Sequence, residues 1–277
     1  MSFISVVIVF IILQALGSVK SFQHDGWLEY VREAATAVLG KAKQSYGVVI
    51  FPPVALGLVL ALVGDWMFGL VGLLIYILVL MYSLGRGDLT DELNRYLDAW
   101  QRGDKQADTY IAAEWIGELP DDLDEISLHQ ILRKRFLYRS LERWFAVLFW
   151  FVIFGPAGAL FYRLCRLEQD RGVELLSSWI HFLEWLPVRL LGLAFGLVGD
   201  FSNTINVWRR EAFDAEVSSD KLADDYAVAA LRLDTSGFDD SDIDSRSGAI
   251  IEWSEVQNIV HRAVVVWLVV IAILQII

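Results

Sequence analysis

Cysteine is nearly missing from this sequence. The one thiol, Cys165, excludes an internal disulfide and any cysteine-built metal cluster. A lone cysteine beside aromatics is ordinarily a packing residue. A basic stripe is missing too. Against 35 acidic residues stand 23 basic ones, for a formal net charge of −12. That balance excludes nucleic acid as the main partner. It also means that the anionic cytoplasmic leaflet cannot hold the chain by charge, so insertion must be hydrophobic. No Walker A, GxGxxG, HExxH or GxSxG string occurs, so no strong catalytic motif is legible. The calcium-loop pattern also fails. Counted from Asp240, the positions that need glycine and glutamate hold Ser245 and Ile251. "FDDSDID" at 238–244 is therefore read as a solvated acidic stretch, and no metal site is expected. No basic residue precedes Lys20, so the apolar start lacks the charged region of a cleaved leader and is read as a retained first span.

What the chain does have is apolar length. Of its 277 residues 56% are hydrophobic, with eleven tryptophans and a mean hydropathy of +0.46. Soluble domains are less apolar and rarely carry such unbroken runs. The expected fold is all-α: a polytopic helical membrane protein with a broken or re-entrant segment and cytoplasmic helical regions. The lipid bilayer is its first partner. An N-terminal membrane region covers 1–84, with spans over about 2–17, 47–64 and 66–84 and a tight turn at "GDW". Between the first two spans, Trp27, Leu28, Val31, Ala35 and Leu39 recur at helical spacing and predict an amphipathic surface helix. A cytoplasmic helical region covers 85–143. There Leu89, Leu93, Tyr96, Leu97 and Trp100 form one stripe, supported by Asp91–Arg95 and Asp98–Arg102 at i,i+4. A second helix is expected from Ser127 to Glu142. A broken and amphipathic membrane region covers 144–199, an acidic cytoplasmic loop region 200–260, and a final span 261–277.

The positive-inside rule places Lys20, Arg32, Lys41 and Lys43 in the cytoplasm, together with Arg86, Arg95, Arg102, Lys105, Arg133, Lys134 and Arg135. The N-terminus then faces the periplasm. Arg163, Arg166 and Arg171 follow the apolar stretch 144–162. A full crossing puts them outside; a break at Gly155-Pro156 that turns the chain back returns them to the cytoplasm. The second reading fits the charge rule better. It requires protein to cover the freed backbone groups, and the small residues of "GPAGAL" permit such packing. His181, Glu184 and Arg189 lie in the stretch 175–199. Charges at membrane depth usually face a cavity or each other. Alternatively "WLPVRLLGL" is an interfacial helix lying flat with its charges among headgroups.

"ERWFAVLFWFVIFGPAGALFYRLCRLEQ" followed by "LEWLPVRLLGLAFGLVG" resembles the AmpE family, inner-membrane proteins associated with β-lactamase induction. It also resembles the related CobD/CbiB cobalamin-biosynthesis synthases. The resemblance rests on Leu148, Phe149 and Trp150; on Gly155, Pro156, Gly158, Ala159, Leu160, Tyr162 and Arg163; and on Leu183, Trp185, Pro187, Arg189 and Leu190. For AmpE it runs the whole length. For the synthases it covers roughly 80–200. The acidic-amide stretch that precedes the first motif in the synthases is replaced here by "RFLYRSLERW", with Tyr138-Arg139 and Glu142-Arg143 at its key positions. Their terminal tryptophan-proline motif has no counterpart.

The resemblance implies a bacterial inner-membrane regulatory protein that keeps the synthase scaffold and lacks most of its catalytic set. On that reading Arg86, Asp88, Arg163, Arg166 and Arg189 line a site for an anionic ligand, derived from a nucleotide or the cell wall. Glu142 and Glu184 orient those arginines. No cofactor is identified. The acidic region 200–250 offers a surface to a protein partner. The alternative is a membrane-bound cobinamide-phosphate-synthase-like ligase of altered substrate, with Glu142 as its acid or base.

Overall fold

The computed structural model describes residues 2–16, 23–64, 69–85, 89–103, 105–117, 125–233 and 243–276. Arg86 and Asp88, part of "GDW" and most of "FDDSDID" lie outside the described residues. The fold is all-helical, as expected, and divides into two compact units. One comprises 1–87, 143–184 and 271–277; the other comprises 88–142 and 185–270.

The first unit is built around a long broken helix. Helix α1 spans Ser2–Leu16, α2 Gly26–Leu39, α3 Gln44–Val63, α4 Leu70–Ser83 and α8 Ala146–Asp170. Helix α8 packs on α3, α4 and α1, and α2 packs on α3. The amphipathic stripe of α2 behaves as its spacing predicts, with Leu28 and Ala35 buried. The C-terminus of α4 is capped from afar. The Gln23 amide donates to the carbonyls of Met81 at 3.2 Å and Leu84 at 2.8 Å, two of the acceptors a helix end leaves open. Helices α3 and α4 show an apolar exterior. Val54, Leu58 and Leu62 on one, and Leu70, Leu74 and Leu78 on the other, are exposed at intervals of four. Water would penalise these stripes; hydrocarbon suits them. Among the described residues four helices are long and apolar enough to cross a membrane: Gln44–Val63, Ser127–Asp170, Ser177–Val198 and Ile250–Leu274. The chain is a polytopic membrane protein.

The break falls where proline and glycine predict it. Gly155 has φ 63° and ψ −154° inside α8, a region that essentially only glycine occupies. Pro156 cannot donate to the helical ladder. Around the break the packing is tight. A Cβ on Gly158 would lie 2.4 Å from the Trp150 carbonyl oxygen. Trp150 stacks on Phe154 at 5.7 Å and donates its indole N–H to the Leu183 carbonyl at 3.0 Å. Upstream, the structure departs from the expected segmentation. Helix α7, Glu125–Ser140, does not stop before the apolar stretch. A π turn over Leu141–Phe145 carries it into α8, so the helix runs on without interruption as far as the break at Gly155. The polar-to-apolar change in the sequence marks a change of surroundings and not a chain break.

The second unit holds α5 (Leu89–Arg102), α6 (Lys105–Ile116), α7, the second half of α9 (Ser177–Val198), α10 (Phe201–Glu211), α11 (Ser219–Leu231) and most of α12 (Ile243–Ile276). Leu93, Tyr96 and Trp100 of the α5 stripe are buried. The region expected as an acidic loop is largely helix. Its acids neutralise α7: Arg133 bonds Asp224 at 2.8 Å and Glu252 at 2.7 Å, and Lys134 meets Asp220 at 2.7 Å. Trp253 donates to Nδ1 of the buried His129 at 3.2 Å, which leaves the ring's proton on Nε2 while the imidazole is neutral.

Replacing Gly155 by alanine is expected to cost about 1–3 kcal/mol in detergent unfolding, because a Cβ is forced into a glycine-only conformation. Gly57→Ala is the control: its Cβ meets nothing within 4 Å, so its stability should hold or rise. A second outcome concerns acid. Burial, the largest single influence, would raise the Asp220 carboxyl, but the hydrogen bonds from Lys134, Ser218 and the Lys221 backbone, with the charge of Lys134, together outweigh it and hold the group below its ordinary value. A depressed carboxylate stabilises the fold above its unfolded pKa of about 4, and that stability is lost as the pH falls through the lower folded value. Asp220→Asn should therefore lower the melting temperature by a constant amount above about pH 5, with the difference shrinking toward pH 3.

Candidate functional site

The C-terminal half of α8 reads "ALFYRLCRLEQD". In a helix this spacing puts Tyr162, Arg163 and Arg166 on neighbouring turns. All three are buried, as is Glu184 of α9. The Tyr162 hydroxyl donates to Glu184 Oε1 at 2.8 Å. Arg166 stands 4.0 Å from the same oxygen, beyond hydrogen-bond reach. It donates to Gln169 Oε1 at 2.5 Å and lies 3.6 Å from the exposed Asp170. The Arg166–Glu184 pair is thus a long one, with the tyrosine interposed on the carboxylate.

A second set of charges closes the same end of the unit. Glu168 is 2% exposed and takes a short hydrogen bond from Arg32 of α2. Arg32 also donates to Glu29 at 2.8 and 3.0 Å. Arg171 stands 3.1 Å from Glu29 and 3.9 Å from Glu168. The chelating hydrogen bonds of Arg32 hold the Glu29 carboxyl below its ordinary value. The Arg32 guanidinium is pushed the other way: burial alone would lower it, and the bonds to Glu168 and Glu29 raise it above its ordinary value. Both groups stay charged at any physiological pH.

Of the residues singled out above, Arg166 stands 4.0 Å from Glu184, and Arg163 is buried one turn earlier on the same helix. Arg189 belongs to the second unit and does structural work there. Its guanidinium donates to the carbonyls of Ala212, Trp185 and Asp214 and lies over the Trp185 ring at 4.1 Å. Glu142 sits in the π turn of the second unit, where its charge acts on Arg139. Arg32, Glu29 and Glu168 went unrecognised as site residues. Arg32 and Glu168 are 136 positions apart, and local spacing carries no signal over that distance. The other partners, Glu29–Arg32 at i,i+3 and Arg166–Asp170 at i,i+4, were legible.

A groove of about 600 Å³ lies between α10 and α11, lined in part by Asn206, Arg210, Lys221 and Asp225. Its cations are answered locally, Arg210 by Glu211 at 2.8 Å and Lys221 by Asp225 at 2.9 Å, so it offers an anion little. Among the described residues no group of three or more histidine, cysteine or acidic side chains could hold a metal ion. The arrangement in α8 suits recognition of an oxyanion: two buried guanidiniums beside a phenol, with no nucleophile among them.

Over residues 1–277 the chain matches the family model described as "Regulatory signalling modulator protein AmpE". It belongs to the AmpE family. It is 26% identical over 157 residues to Protein AmpE of Shigella flexneri, covering 51% of this chain and 55% of that one. It is also 26% identical over 157 residues to the cobalamin biosynthesis protein CobD of Chromobacterium violaceum, covering 52% and 49%. With CobD of Stutzerimonas stutzeri it shares 25% over 186 residues, covering 62% and 60%. The aligned parts thus span about half of these curated relatives. No solved structure matches.

Tyr162→Phe removes one donor from a buried carboxylate and is expected to destabilise the protein by about 1–3 kcal/mol in detergent unfolding. Pairing it with Glu184→Gln should show non-additivity, since the two substitutions break one bond.

Proposed function

With membership of the AmpE family as the premise, we propose that this chain is a multi-pass inner-membrane regulatory protein. It acts in β-lactamase induction and the response to cell-wall stress, with its N-terminus in the periplasm. At its cytoplasmic face it senses an anionic ligand, derived from a nucleotide or the cell wall, through Arg163 and Arg166. The observation that carries this reading is the buried end of α8, where Arg166 is 4.0 Å from Glu184 while Tyr162 engages that carboxylate. A second anion placed against Arg163 and Arg166 would gain a charge-assisted contact in a site already shielded from water. Glu184 would orient the arginines. The change would reach a protein partner through the acidic region 200–250.

A second reading is supported by the similarity to the two CobD proteins. It is a membrane-bound ligase related to cobinamide-phosphate synthases, with altered substrate and Glu142 as acid or base. The replacement of the synthases' acidic stretch by "RFLYRSLERW" weighs against it.

In cells lacking their own copy of the family protein, the wild-type chain should restore induction by a β-lactam. Arg166→Gln, expressed to the same level, should not. Full induction by Arg166→Gln would remove the site from the account. ATP turnover by the purified protein, abolished by Glu142→Gln, would instead establish the ligase. The side of the membrane is read separately. In a Cys165→Ala background, Glu174→Cys should react with an impermeant maleimide only from the cytoplasmic face.

A further inference from the structure

Helix α9 is apolar on both sides, and the two sides meet different surroundings. In its second half Val188, Leu191, Ala194 and Phe195 are buried. Two helices of the same unit pack against this half. Helix α10 folds back antiparallel along α9: a Cβ on Gly196 would lie 3.4 Å from Thr204, and further along Arg189 bonds the carbonyls of Ala212 and Asp214. Trp208 returns a hydrogen bond to the Arg189 carbonyl at 2.9 Å. Helix α11 closes the remaining side, its Tyr226 ring pressed so close to Gly192 that a Cβ there would lie 2.5 Å away. At the corner, Asp200 caps α10 by accepting from Asn203 at 3.1 Å, and its own N–H donates to the Ala230 carbonyl at 2.8 Å.

The outward sides of α10 and α11 are polar. Asn203, Asn206, Arg209, Arg210 and Lys221 are exposed. The outward edge of α9 is the reverse. Leu186, Leu190, Leu193 and Leu197 follow one another at intervals of four, three and four, and Phe201 continues the row across the corner. Leu186, Leu197 and Phe201 are exposed and the two between them half-buried. Leu197 is 65% exposed and Phe201 53%.

These two surfaces cannot share one solvent. If this half of α9 crossed the bilayer, the antiparallel α10 would carry Arg209 and Arg210 into hydrocarbon, at several kcal/mol each. If it lay in water, a row of five large apolar side chains would be wetted. The environment that is apolar on one side and aqueous on the other is the membrane–water interface. We propose that residues 186–201 lie in the plane of the membrane, with the Leu186–Leu190–Leu193–Leu197–Phe201 edge set into the acyl–headgroup boundary of a lipid bilayer. The α9–α10 hairpin is then a surface-lying element, although α9 is long and apolar enough to span. The inference does not depend on the ligand or pathway proposed above.

The test uses the full-length chain in a Cys165→Ala background, reconstituted in vesicles of phosphatidylcholine and phosphatidylglycerol. Single nitroxides are placed at Leu186→Cys, Leu190→Cys, Leu193→Cys and Leu197→Cys. The ratio of oxygen to nickel-chelate accessibility reports depth. A flat helix gives four similar, shallow depths. A crossing helix gives depths that change steadily over about 16 Å, and that result would overturn the proposal. Nickel access as in bulk water at all four positions would overturn it as well, as would protection from both reagents, which marks a protein–protein contact. Circular dichroism and melting temperature confirm that each labelled variant folds as the parent does.

Discussion

The ion pair between Arg32 and Glu168 decides where α2 can lie. Glu168 is 2% exposed, and a carboxylate so enclosed is tolerated only with an opposite charge in contact. Arg32 provides that charge, and Glu29 and Arg171 extend the pair into a network of alternating sign. Since α8 also carries the glycine-proline break and the two buried arginines, fixing α2 on its end fixes the frame of the candidate site. The surface helix therefore serves the inner one as its counter-charge.

Buried arginines occur in both units, and their surroundings assign them opposite roles. Arg189 is satisfied by three backbone carbonyls and an indole face. It clamps the α10–α11 connection to α9. Arg133 is satisfied by two carboxylates and joins three helices. Arg166 bonds a side-chain amide and lies 3.6 Å from the exposed Asp170 and 4.0 Å from Glu184. The three have the same head group and similar burial, and their partners set them apart. Neutral carbonyls leave a guanidinium's charge available but its donors occupied. Close carboxylates cancel the charge.

Much of the helical plan was legible because it depends on local periodicity. The stripes of α2 and α5 and the apolar helices α1, α3 and α4 follow from spacing and composition. The break at Gly155-Pro156 follows from the one residue that permits its backbone angles and the one that interrupts the ladder. Three features were not legible, each for a physical reason. The continuity of α7 into α8 is hidden because a polar run next to an apolar one looks like a boundary, while the backbone bonds cross it through a π turn. The helices within 201–231 are hidden because their acids read as solvated charge, while Asp220 and Asp224 are used as counter-charges to α7. The division of labour between Arg166 and Arg189 is hidden because "YRLCRL" and "PVRLLG" present similar text and differ only in what the fold places around them.

The account stands or falls on whether α2 and α8 are coupled through charge. A double-mutant cycle on Arg32→Met and Glu168→Met, followed by unfolding in a mild detergent, measures that coupling directly. The account predicts that each single change is strongly destabilising and that the double change recovers much of the loss, with an interaction energy on the order of 2 kcal/mol. Strictly additive losses would show that the two helices are not held by this pair, and the frame proposed for the arginine site would go with it.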